Sequence, residues 1–202
     1  MKCEIKLGKY DGTFQKSKTL PIHRWYPFIE GFGEQLVWEI VREFADKSTY
    51  LVDPFAGCGT TLLVASKYGL KSGYCEINPF LKFVIDTKIN SPVRLQQKEI
   101  DVPTVFRDFL SELSLLNIKT FPPAHVSCNP KFEQYFDENI LDVLLRLKQC
   151  TLDYFNRDND LKSIALLMLS SLLIETSHLK RAGDVRYRRN NEKVKLTESD
   201  VV

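Results

Sequence analysis

Two carboxylates, Asp53 and Glu76, stand where a chain of this pattern does chemistry. Asp53 ends the apolar run Tyr50-Leu51-Val52 and opens Asp53-Pro54-Phe55-Ala56-Gly57-Cys58-Gly59-Thr60-Thr61, after which Leu62-Leu63-Val64-Ala65 reads as the start of a helix. A strand, a two-glycine turn and a helix form a nucleotide-type cofactor site, because residues without a Cβ let the backbone take a positive φ or touch a ligand. Thr60 or Thr61 would then cap the helix. What the turn lacks narrows the ligand. A phosphate-binding P-loop carries Lys after its last glycine, where this chain has Thr60 and Thr61, and a dinucleotide fingerprint carries a third glycine where it has Leu62. A cofactor without pyrophosphate remains. Lys71-Ser72-Gly73-Tyr74-Cys75 predicts a second strand that delivers Glu76, and a carboxylate there accepts both ribose hydroxyls of an adenosine.

These residues resemble the S-adenosylmethionine-dependent DNA amino-methyltransferases, which methylate cytosine N4 or adenine N6. Asp53 to Thr61 matches that family's motif I, and Gly73-Tyr74-Cys75-Glu76-Ile77-Asn78-Pro79-Phe80 matches motif II. The resemblance implies S-adenosylmethionine as cofactor, held by Asp53, Pro54, Phe55, Ala56, Gly57, Gly59, Thr60 and Thr61. Glu76 would bind the ribose, with Ile77, Asn78 and Pro79 beside the adenine. Upstream, Ile22-His23-Arg24-Trp25-Tyr26-Pro27-Phe28-Ile29-Glu30-Gly31-Phe32-Gly33 is similar to motif X, the segment that covers the methionine end of the cofactor. That adds Trp25, Phe32 and Gly33 to the cofactor set. An aromatic run ahead of a helix also serves as a packed N-terminal arm.

The elements that must position these residues follow from periodicity. Leu36, Val37, Ile40, Val41 and Phe44 repeat at helical spacing, so residues 33–88 predict helix, strand, helix, strand, helix, with Pro79 accepted in the first turn of the last. The fold class expected is α/β, a partial Rossmann-like methyltransferase sheet with a helical insertion. The insertion begins after Ser91-Pro92, with helices predicted over 102–116, 138–155 and 161–180. The expected organisation is a β-prone arm at 1–20, with a hairpin turn at Asp11-Gly12, a cofactor-binding α/β half at 21–100, a helical subdomain at 101–180 and a basic tail at 181–202.

Composition bounds the class. A chain of 202 residues with 44% apolar content can bury a sizeable core. Its longest apolar run, Ile164 to Ile174, is broken by Ser170 and Ser171 and is too short to span a bilayer, and Met1-Lys2-Cys3-Glu4 does not open a signal peptide. The cysteines at 3, 58, 75, 128 and 150 form neither a Cys-x-x-Cys pair nor a zinc pattern. A cytoplasmic, bacterial or phage-encoded protein without metal or membrane is expected. The net charge of +2 does not announce nucleic acid, but cations concentrate from Lys180 onward. Lys180, Arg181, Arg186, Arg188 and Arg189 are candidate phosphate contacts, with Tyr187 among them as a stacking face. A solvated segment after a helix is the other reading of the same residues.

The methyl acceptor site is where the pattern thins. Members of the resembling family hold the exocyclic amine with Asp, Asn or Ser followed by Pro-Pro and an aromatic residue. Phe121-Pro122-Pro123-Ala124-His125 has the prolines without the acceptor or the aromatic, and Asn129-Pro130-Lys131-Phe132 has Lys131 in place of the second proline. Asn129 and Phe132 are therefore weak catalytic candidates. A covalent route through cysteine would need a Pro-Cys context, which no cysteine has. Glu198-Ser199-Asp200-Val201-Val202 is similar to the start of the strand that leads into the missing motif, which implies a cofactor-binding half whose catalytic motif and target-recognition region come from a second polypeptide or a longer product. The resemblance implies DNA as partner and direct methyl transfer, with cytosine N4 ahead of adenine N6 because motif X precedes motif I. Two rival readings use the same residues: an RNA amino-methyltransferase working through Asn129 to Phe132, and a non-catalytic subunit that binds the cofactor or DNA.

Overall fold

The computed structural model describes residues 13–26, 28, 31–125, 132–182, 184–193, 196–197 and 200–201. The chain divides into two compact units, residues 1–90 and 91–202.

In the first unit, α1 (Glu34–Phe44), β1 (Tyr50–Asp53), α2 (Thr60–Lys67), β2 (Lys71–Tyr74) and the start of α3 (Pro79–Gln97) follow in the expected order. β1 and β2 pair in parallel, from Tyr50 opposite Lys71 to Asp53 opposite Tyr74, with α2 as the crossover that parallel strands require. Val37 and Val41, one helical turn apart on α1, bury against Val64 of α2, and Phe32, Trp38, Ala45, Leu51 and Leu70 pack around them. A second cluster, Ala56, Leu62 and Ile85, joins the turn after β1 to α3. The fold is thus mixed α/β and mostly helical; among the described residues the parallel sheet has two strands.

Two expectations are revised, and a third is not tested. The hairpin at Asp11-Gly12 lies outside the described residues, while Phe14–Thr19 forms a 3-10 turn where a β-prone arm was expected. That turn is committed to the helix after it: Ser17 Oγ accepts the Glu34 N–H of α1 at 2.9 Å, and Phe14 is fully buried. α3 does not stop at Ser91-Pro92 but runs to Gln97 with Pro92 inside it. Pro92 forfeits one helical hydrogen bond, yet Val84, Ile85, Lys88, Ser91 and Leu95 keep one stripe of the helix buried on either side of it.

The second unit packs α4 (Val102–Leu115), α5 (Glu138–Tyr154) and α6 (Asn159–Leu172). Phe106, Phe109, Tyr154 and Phe155 form an aromatic cluster, the Phe109 and Phe155 rings 4.9 Å apart. Asp158 caps α6 by accepting the N–H groups of Asp160 and Leu161, and Lys98 and Arg94 bind Asp158 and Asp160 at 2.7 Å. The third predicted helix ends early. α6 stops at Leu172, and Leu179–Ala182 (β3) pairs with Asp184–Tyr187 (β4) in an antiparallel ladder. Ser170, Ser171, Thr176 and Ser177 all turn their hydroxyls back onto nearby carbonyls, the competition by which short polar side chains unwind helices. Near the C-terminus Asp200 and Val201 lie in a turn rather than a strand, with Asp200 Oδ2 accepting from Thr197 N–H at 2.7 Å.

Candidate functional site

The turn after β1 is built around Asp53. Its buried carboxylate accepts the Phe55 N–H at 3.1 Å through one oxygen and the Thr61 hydroxyl at 2.6 Å through the other, tying the end of the strand to the first turn of α2. Gly57 and Gly59 take φ of +52° and +85°, the left-handed region where a Cβ is disfavoured. Gly59 itself is the residue that starts α2, without a side-chain cap; Thr60 and Thr61 lie inside the helix instead of capping it. Thr60 and Ala56 are buried, whereas Pro54 and Phe55 stand outward, Phe55 at 87% exposure. The turn therefore offers backbone and one aromatic ring to solvent.

Glu76 reaches this turn from the end of β2. Its Oε2 accepts the Gly57 N–H at 2.9 Å and its Oε1 accepts the Asn78 N–H at 2.8 Å. The strand ends are joined as well, since Cys75 N–H donates to Asp53 O and Ala56 N–H to Cys75 O. Asn78 Oδ1 in turn accepts the Phe80 N–H at 2.9 Å, an N-terminal cap for α3, whose first residue is Pro79. Ile77 is 98% exposed beside them. Asp53, Gly57 and Glu76, far apart in sequence, are thus brought to one place.

The upstream arm meets the same turn. The Phe28 ring lies so close over Gly57 that a Cβ there would sit 3.2 Å from its Cε1. Tyr26 packs edge-on against Phe80, ring centres 5.2 Å apart, and Trp25 is half-buried at the end of the 3-10 turn His23–Trp25. Phe32 packs into the α1 core and Gly33 is the buried residue preceding α1, so both act on the arm's path into the helix. Beneath the arm, Lys88 of α3 is 1% exposed and donates to the backbone carbonyls of His23 at 3.3 Å and Tyr26 at 3.1 Å. Burial pushes its ammonium down from the ordinary 10.5 to about 8, Cys58 opposing. His23 is fully buried and its pKa is lowered, chiefly by burial; Nε2 stands 2.8 Å from Glu34 Oε2, out of line for a hydrogen bond, and Nδ1 has no partner among the described residues.

Sequence reading missed Phe28 and Lys88. A signal for Lys88 existed, because it falls on the stripe that Val84, Ser91 and Leu95 mark at spacings of three and four.

The basic segment is more internally satisfied than its composition implies. Arg186 and Lys180 both bind Glu192, at 2.8 and 3.1 Å, and Arg186, then the Arg189 N–H, then Lys180 hold the Glu192 carboxyl far below the usual range. Arg188 donates to the carbonyls of Ser177 and Glu175, closing the end of the α6 region. Arg181 is half-buried and Arg189 exposed. Tyr187, 53% exposed, leans on Tyr135 with ring centres 5.8 Å apart. Phe132 packs against Phe136 at 5.3 Å, and Asn129 lies outside the described residues. Among the described residues no cluster of three or more His, Cys, Asp or Glu could hold a metal, and no helix is long and apolar enough to cross a membrane.

The chain is similar to Type II methyltransferases. It is 32% identical over 89 residues to M.AvaI of Nostoc sp., a stretch covering 44% of this chain and 18% of that protein. It is 35% identical over 77 residues to M.BsoBI of Geobacillus stearothermophilus, covering 38% and 15%. M.MvaI of Kocuria varians aligns along nearly the whole chain, 23% identical over 202 residues, covering 96% of this chain and 43% of its own length. The chain spans less than half the length of these curated relatives. No protein-family profile and no solved structure matches it.

Proposed function

We propose that this chain is the cofactor-binding half of an S-adenosylmethionine-dependent DNA methyltransferase acting on an exocyclic amine, cytosine N4 or adenine N6, in a restriction-modification or phage setting. The observation that carries the reading is the meeting of Glu76 with the Gly57 turn, supported by similarity to Type II methyltransferases. The residues fit the cofactor. Each Glu76 oxygen accepts one backbone N–H and keeps a second lone pair for a ribose hydroxyl, and exposed Ile77 offers an apolar edge for adenine. When bound, the cofactor supplies an electrophilic sulfonium methyl.

This chain's part in the reaction is placement. Asp53 braces the turn, Glu76 orients the ribose, and the Trp25 to Phe28 arm shields the methionine end from water. The acceptor and base-stacking groups come from a second polypeptide or from further chain, and Arg181 and Arg189 with the rest of the basic hairpin contribute phosphate contacts. Isothermal titration of the chain with S-adenosylmethionine should give saturable binding that Glu76→Ala weakens about 100-fold or more, the effect of losing two hydrogen bonds to a charged group. Binding unchanged by that substitution would sink the assignment. Labelled-methyl transfer to DNA is expected only when a polypeptide bearing the Pro-Pro-aromatic motif is added.

A further inference from the structure

Lys88 is a buried cation for which neither the fold nor the methyl transfer has an obvious need. A lysine ammonium out of water costs several kcal/mol unless its donors are used. Here two of them go to main-chain carbonyls of one segment, His23 O and Tyr26 O, rather than to any carboxylate. That segment is the arm, and two residues beyond Tyr26 the Phe28 ring rests on Gly57, the same residue whose N–H Glu76 accepts. Main-chain acceptors make the contact independent of the arm's side chains and fix its path. We infer that Lys88 is a positioning residue whose side chain clamps the aromatic arm over the Gly57 turn, so that cofactor affinity depends on its two hydrogen bonds.

The clamp rests on the S-adenosylmethionine reading only for its consequence; the clamp itself is a property of the arm. The titratable groups facing Lys88 are Cys58, whose thiol burial pushes up, and His23, whose imidazole burial keeps neutral near pH 7, with Glu34 and Lys67 beyond His23. Because burial beneath the arm lowers the Lys88 pKa to about 8, closing the arm over the charged ammonium carries a desolvation cost that is relieved as pH rises above about 8.

The full chain, Lys88→Met and Lys88→Gln are compared from pH 7 to pH 9.5 by calorimetric titration with S-adenosylmethionine and by the rate of tryptic cleavage after exposed Arg24. At pH 7 Lys88→Met is expected to bind about tenfold more weakly and to be cut several-fold faster at Arg24. Lys88→Gln, which keeps neutral donors, should fall between the two. Because the cofactor's own amine titrates equally in all samples, the wild-type to Lys88→Met affinity ratio is the readout, and it should grow toward pH 9.5 as the cost of burying the charge is relieved. A ratio near one at pH 7, or a ratio that does not change with pH, overturns the proposal, as does unchanged cleavage at Arg24. If no sample binds the cofactor but cleavage still responds to Lys88 and to pH, the function proposed above falls and the clamp stands. Should both variants fail to fold, the wild-type cleavage profile decides: a rate at Arg24 that does not fall as pH rises through 8, relative to an unstructured Arg peptide, overturns it.

Discussion

At the scale of residues, the candidate site depends on a few backbone conformations that side chains merely defend. Gly59 begins α2 at φ +85°, and a Cβ on it would stand 3.2 Å from Ile85 Cγ1. Gly59→Ala is therefore expected to lose about 1–2 kcal/mol of stability from the left-handed backbone alone, read as a lower urea midpoint with unchanged slope. The carboxylate of Asp53 does two jobs in the same few ångströms, bracing the Phe55 N–H and the Thr61 hydroxyl. The glycines and both acids were legible from the sequence, because tight turns and charged strand ends restrict residue type strongly. Lys88 was legible only as a position on the buried stripe of Val84, Ser91 and Leu95, since a lysine is read as solvated until a fold buries it.

At the scale of elements, an aromatic cluster joins helices of the second unit, and the β3–β4 pair gathers cations that are largely paired. Phe155 is 3% exposed and touches Phe106, Phe109 and Tyr154, so it joins α4 to the end of α5. Phe155→Ala should cost about 3–5 kcal/mol, seen as loss of the helical signal at lower temperature or denaturant. The β3–β4 hairpin tests the DNA reading differently. Arg186 and Lys180 are spent on Glu192 and Arg188 on carbonyls, while Arg189 keeps an exposed side chain. Arg189→Ala is expected to lower the slope of log affinity for duplex DNA against log salt by about one, whatever the DNA sequence. An unchanged slope would remove Arg189 from the interface. Composition alone could not tell these cations apart, because pairing is decided by a hairpin that brings Glu192 back onto residues 180 and 186.

At the scale of the whole molecule, pH links the buried lysine to folding. Lys88 has its pKa depressed from 10.5 in the open chain to about 8 when folded, so between those values the unfolded chain binds the extra proton and stability rises with pH. The contribution is fully present above 10.5 and is lost as pH falls through about 8, a span worth roughly 3 kcal/mol. Denaturation of the wild-type chain should show that rise, and Lys88→Met should flatten it. Tightening of the fold and of the arm together above pH 8 is a combination that simple alkaline unfolding does not produce.

By itself the sequence determined the alternation from α1 to α3, the parallel pair of strands and the glycine turn with its two acids, since each follows from local spacing and from the few residues that a tight turn admits. Tertiary structure alone decided that α3 runs through Pro92, that the 161–180 segment breaks into a hairpin, that Glu76 closes on Gly57, and that Lys88 lies under the arm. Those outcomes depend on which surfaces exclude water and which carbonyls are left to be satisfied, quantities that exist only once residues distant in sequence have met.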